Sequence, residues 1–228
     1  MGACCESNPD GYVTPSRVEK PGAAPMDQKP DIEELLKQPI KIEYFNGVYG
    51  RVDPIRQMLE HKKVKYRFIG YSEENWANLK ESGDVGEMNI LPIVNYGGES
   101  RQQSLAILRS LGTVHGYYNP SDWKTAGFVD MIVECYANLL DDLLKAMRLT
   151  EEREQTEAIE KIRDGKASCL LSICEKHLEK NATQMFIASD SLTIADFSLV
   201  SFIFNMIKNE QSPMYSTLEP IMMKYPNF

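Results

Sequence analysis

Two dipeptides carry chemistry that can be read directly from their types and spacing. Gln103-Ser104 stands where an apolar helical pattern begins, with Leu105, Ile107, Leu108 and Leu111 on one face and Gly112 as the expected stop. A helix start leaves backbone N–H groups without partners, and these attract an anion. Leu91-Pro92 opens the short apolar run from Ile90 to Val94. Proline cannot donate to a sheet ladder, so Pro92 belongs at the beginning or edge of a strand, and its peptide bond can be cis. The plain reading is one more hairpin and helix. The sharper one is a single site, in which an edge backbone lies beside a helix N-terminus that receives an anion.

Composition narrows the other chemistries. The net charge is −8 with no Lys/Arg cluster, which argues against nucleic acid and against a broad anionic-membrane face. No apolar run is long enough to span a bilayer or form a secretory core. The five cysteines are Cys4, Cys5, Cys135, Cys169 and Cys174. An odd count without framework spacing points to reduced thiols and a cytosolic chain. Without a Cys-x-x-Cys pair, disulfide exchange is not expected. Three scattered histidines form no zinc pattern. Met1-Gly2-Ala3-Cys4-Cys5 is similar to a dual-acylation signal, with Gly2 for myristate and Cys4 and Cys5 for palmitate, although Glu6 stands where that signal has Ser or Thr. Two lipids are needed because one myristoyl chain anchors only marginally.

The elements that must position the site follow from patterning. Residues 1–39 read as a tail, holding six of the twelve prolines and few large apolar residues. Lys41 to Phe45 is a strand with Ile42 and Tyr44 on one side. Asp53-Pro54 reads as an N-cap followed by proline in the first turn of a helix that buries Ile55, Met58 and Leu59. Val64, Tyr66 and Phe68 alternate as a second strand, and a loop holding Trp76 and Lys80 follows. Gly97-Gly98 supplies the positive φ angles of a tight hairpin. The order β-α-β, loop or helix, β-β-α is thioredoxin-like and covers residues 40–112. A linker to residue 121 leads to an all-helical part over residues 121–228. There Phe128, Met131, Ile132, Cys135, Leu139 and Leu143 recur at helical spacing, and Thr193 with Asp196 forms a capping box.

These motifs together resemble the glutathione transferases over about residues 40–228. The Leu91-Pro92 strand, the Gln103-Ser104 helix start and the Thr193-Ile194-Ala195-Asp196-Phe197 box all match that family's spelling. Tyr44-Phe45-Asn46 with Gly50-Arg51 is similar to the sigma-type members, which include glutathione-dependent prostaglandin D synthases. The resemblance implies an α/β thioredoxin-like domain followed by an all-α domain, with glutathione as co-substrate. It implies that Tyr44 activates the thiol with Arg51 beneath it. Leu91, beside Pro92, would pair with the cysteine of glutathione. Gln103 and Ser104 would hold the γ-glutamyl carboxylate, and Trp76 and Lys80 the glycine end. It also implies a homodimer, or membership of a larger assembly.

The chain departs from the sigma pattern in three places. Glu134, Ala137 and Asn138 stand where many members carry aspartates that can bind a metal, so no metal is expected. The sequence ends at Tyr225-Pro226-Asn227-Phe228, a spelling that introduces a last helix in the family, and the tail is long. Three functions therefore stay open. They are conjugation of glutathione to an electrophile, a non-catalytic scaffolding subunit of the same fold, and a prostaglandin-type isomerase. A cytoplasmic location is expected, with membrane association through the N-terminus if it is acylated.

Overall fold

A computed structural model describes residues 39–83, 85–181 and 183–228. The acylation signal at Gly2, Cys4 and Cys5, and the tail up to residue 38, lie outside the described residues.

Strand β1 (Ile40–Phe45) buries Ile40, Ile42 and Tyr44. Its opposite face carries Glu43, only 8% exposed, which accepts from the Tyr71 hydroxyl at 2.5 Å and the Asn95 amide at 3.3 Å. Those donors sit on β2 (Tyr66–Tyr71) and β3 (Ile93–Tyr96), so one carboxylate ties three strands. β1 pairs with β2 in parallel and with β3 antiparallel, and β4 (Glu99–Arg101) closes the order β2-β1-β3-β4. The β3–β4 turn uses Gly97 and Gly98 at φ 59° and 76°, as a two-residue hairpin demands.

The helices of this half correct three expectations. Helix α1 (Asp53–His61) is preceded by Val52, already in a helical conformation at φ −90° and ψ −17°. Asp53 therefore lies inside the first turn rather than capping it, and its carboxylate turns back to the Gly50 N–H. The segment with Trp76 and Lys80 is not a loop but helix α2 (Glu73–Ser82), where the Ser72 side chain accepts from the Asn75 N–H and Gly83 ends it at φ +79°. Helix α3 (Ser104–His115) runs past Gly112 to a stop at Gly116, φ +83°. Gly112 serves close packing instead: a Cβ there would stand 2.6 Å from the Ile194 side chain.

The second half is helical. Asp122 caps the long α4 (Trp123–Ala146), and α5 (Glu152–Ile162) passes through a π-helical turn, Arg163–Ala167, into α6 (Ser168–Lys180). Helix α7 (Ile194–Ser201) is buried almost throughout and packs against both α1 and α4. A second π-helical turn, Phe202–Ile207, continues it, followed by α8 (Tyr215–Leu218) and a 3₁₀ turn, Glu219–Lys224. At the α7 start the N–H and hydroxyl of Thr193 both donate to Asp196 Oδ2 at 2.8 Å, and the Ile187 N–H donates to Oδ1 at 2.9 Å.

His115, at the end of α3, is 5% exposed and has no partner at either ring nitrogen. Burial, with Lys62 nearby, holds its pKa below the ordinary value. The unfolded chain then binds the proton more readily, so stability is present above pH ~6.5 and falls as pH drops below it. His177, lowered by burial and Lys180, acts in the same direction. Urea midpoints should therefore fall between pH 7.5 and 5.5, and the fall should shrink in His115→Phe. An unchanged pH dependence in that variant would show that His115 does not contribute.

Candidate active site

Sheet register brings three separate stretches to one edge. Glu43 lies opposite Ile93, so the end of β1 with Tyr44 meets the start of β3, and Leu91-Pro92 with its cis peptide just precedes it. β4 runs back along β3 until Arg101 lies opposite Val94. The following residues, Gln102 to Ser104, therefore return to the same end. Gln102 fastens this return: its amide donates to the Ile90 carbonyl at 2.8 Å and to Val85 at 3.1 Å, and accepts from the Met88 N–H at 2.8 Å. Sequence reasoning missed Gln102, because its role depends on a loop 12–17 residues away.

The α3 start has the properties an anion requires. The Gln103 side chain makes no capping hydrogen bond, and among the described residues no side chain accepts from the first N–H groups. Ser104 is 6% exposed, whereas Gln103 is exposed and stands at φ 73°, ψ 100°. A non-glycine residue at positive φ is strained, and such strain concentrates at ligand sites.

Tyr44 is 6% exposed, with its ring edge-on to Phe45. Its hydroxyl lies against Gly50, where an added Cβ would be 3.2 Å from the oxygen. Burial raises its pKa above the usual 10.0, and the Asp53 charge adds to this, while the Arg51 backbone N–H and the Arg51 charge oppose it. The group is therefore a protonated hydroxyl at neutral pH and can donate. The guanidinium of Arg51 pairs with Asp141 on α4. Neither Asp141 nor its pairing with Arg51 had a local sequence signal.

Trp76 is 6% exposed and packs with Val85 and Ile93, flanked by Phe45 and Leu91, so its ring supports the strand end that carries Leu91-Pro92. Lys80 is exposed, with Nζ 6.0 Å from the Trp76 ring centre. The described thiols lie elsewhere, on α4 and α6; burial pushes Cys174 up to about 12 and raises Cys135. Among the described residues no group of three or more His, Cys, Asp or Glu could hold a metal, and no helix is long and apolar enough to cross a membrane.

Comparison with known proteins bears on both halves. The sequence family "Glutathione S-transferase, C-terminal domain" matches residues 138–227. Glutathione S-transferase 4 of Caenorhabditis elegans is 28% identical over 173 residues, covering 74% of this chain and 81% of the relative. The chain resembles the glutathione transferases. S-crystallin 2 of Octopus vulgaris is also similar, at 24% identity over 185 residues, 77% of this chain and 84% of the relative. Among solved structures, prostaglandin synthase D of Nilaparvata lugens superposes with a TM-score of 0.65 at 21% identity, covering 84% of this chain and 94% of that one. The thioredoxin-like first half and helical second half are thus the transferase fold.

Proposed function

We propose that the chain binds glutathione at the shared edge of β1, β3 and α3 and transfers its thiolate to an electrophilic small molecule. The observation that carries this reading is the Tyr44 hydroxyl, protonated and buried, at the sheet end that also carries Leu91-Pro92 and the uncapped start of α3.

The chemistry follows from what each group can do. Leu91 offers backbone N–H and C=O to the cysteine backbone of the tripeptide. Gln103, Ser104 and the α3 N–H groups receive its γ-glutamyl carboxylate, and Lys80 with Trp76 its glycine end. A free thiol, with pKa ~8.5, is only a few per cent ionised at pH 7. Lowering that pKa by ~2 units takes ~2.7 kcal/mol of preferential stabilisation of the anion. A hydrogen bond donated by Tyr44 to the sulfur is of the right kind, because bonds to charged groups are the strong ones. The thiolate then attacks an electrophilic carbon, the C–S bond forms, and the leaving group departs with its electron pair.

Relatives named as transferases support conjugation over a scaffolding role. The prostaglandin synthase likeness concerns fold and gives isomerisation no preference. The test is retention on immobilised glutathione, elution by free glutathione, and turnover of a simple aryl halide. Retention with turnover is expected. Retention without turnover would leave a glutathione-binding scaffold, and no retention would remove the site reading altogether.

A further inference from the structure

The turn beside the Tyr44 hydroxyl is held by Asp53, at the start of the adjoining helix, and by Tyr136 from α4, and Asp53 is in turn held by Asn205. The Gly50 N–H donates to Asp53 Oδ2 at 2.5 Å, and the Gly50 carbonyl accepts from the Tyr136 hydroxyl at 3.2 Å and the Asp53 N–H at 3.1 Å. Asp53 Oδ2 also accepts from the Asn205 amide at 3.1 Å. Asp53 is 4% and Tyr136 2% exposed, so the bonds to Gly50 are shielded from water, and the Asn205 bond is partly so. Tyr136 comes from α4. Asn205 comes from the π-helical turn after α7, where the Lys208 N–H reaches back five residues to Ile203. Such π turns cost helix geometry and recur at functional sites. Here the turn carries Asn205, which reaches from the end of α7 to Asp53 in the first turn of α1.

We propose that Asp53, Tyr136 and Asn205 are positioning residues for Tyr44. They fix the Gly50-Arg51 turn against its hydroxyl and make the thiol-activating geometry depend on the helical half. This rests on the reading of Tyr44 as the group that activates glutathione. All three act on the protein backbone and on each other rather than as groups offered to the substrate. Their effect runs through the Gly50 backbone, whose displacement would let the phenol swing and weaken its bond to sulfur.

Asn205→Leu removes the amide on the same branched side-chain skeleton and leaves net charge unchanged. Tyr136→Phe removes only the hydroxyl bonded to Gly50. The experiment is a pH titration of the thiolate absorbance of bound glutathione, with kcat and KM for an aryl halide reaction, in the parent and both variants. In both, the bound thiol's pKa should rise and kcat near pH 6.5 should fall about 10-fold, with KM for glutathione within about 2-fold. A residue that only held the halves together would lower the unfolding midpoint and leave the thiol's pKa unmoved. If Asn205→Leu does not fold, Tyr136→Phe decides alone. Parental thiol pKa and kcat in the variants, with both lost in Tyr44→Phe, would overturn the positioning role and leave thiol activation standing. A parent protein without a lowered thiol pKa would overturn the functional reading, and this inference with it.

Discussion

A Tyr44→Phe protein should keep its fold and its glutathione and lose most of its conjugation. The ring stays packed against Phe45 and the β1 core, so the fold should hold, with only a modest fall in unfolding midpoint from the Arg51 N–H that loses its acceptor. Only the hydroxyl goes. The bound thiol's pKa should return towards ~8.5, and the rate near pH 6.5 should drop about 100-fold, the scale on which a single donor to a developing anion acts. Affinity should hold, because Leu91, Gln103 and Ser104 would grip parts of the tripeptide remote from sulfur. The loss should be smaller at pH 9, where a free thiol is ionised anyway. A variant with parental rates and parental thiol pKa would remove Tyr44 from the chemistry.

The largest expected stability effect belongs to Asp196→Ala. Its carboxylate serves three donors at once: the Thr193 N–H, the Thr193 hydroxyl and the Ile187 N–H. Thr193, Ile187 and Asp196 are all buried, so water cannot replace the lost acceptor. An unsatisfied buried donor costs about 1–3 kcal/mol, so losing this set should cost roughly 2–4 kcal/mol, above the ~1 kcal/mol of an exposed cap. Asp196→Asn keeps one acceptor oxygen and should recover part of the loss. Chemical denaturation reads this as a lower midpoint at constant slope. A midpoint equal to the parent's would mean that the carboxylate does not hold the start of α7.

How far the sequence was legible depended on how local the cause was. β1 and β3 were readable because strand alternation and Pro92 act within a few residues. The hairpin was readable because Gly97-Gly98 supplies both positive φ angles itself. Around Trp76 and Lys80 the sequence left loop or helix open, since the cues for α2 are a single polar cap, Ser72, and a weakly apolar face around Trp76. Gly112 looked like a stop because glycine commonly ends helices, yet Ile194, far away in sequence, needs the space its missing side chain leaves. Asp53 looked like an N-cap because Asp-Pro usually is one, but the helix began a residue earlier and freed the carboxylate for Gly50.

The sequence by itself determined the order of elements, the two-part α/β then all-α architecture, and the residue types at the edge where Tyr44, Leu91, Pro92, Gln103 and Ser104 meet. The elements rest on period, turn chemistry and capping, which act over one or two turns of chain, whereas Tyr44's place among the site residues came from the family resemblance. Only the tertiary structure decided what surrounds those residues: Gln102 fastening the loop before Pro92, Arg51 drawn to Asp141, Gly50 gripped by Asp53 and Tyr136, and Asp53 held by Asn205. Hydrogen bonds between residues 86 and 152 positions apart leave no periodic trace. They exist because α1, α4 and the end of α7 are packed into one core, which excludes water and favours pairing of a buried polar group with whatever element lies against it.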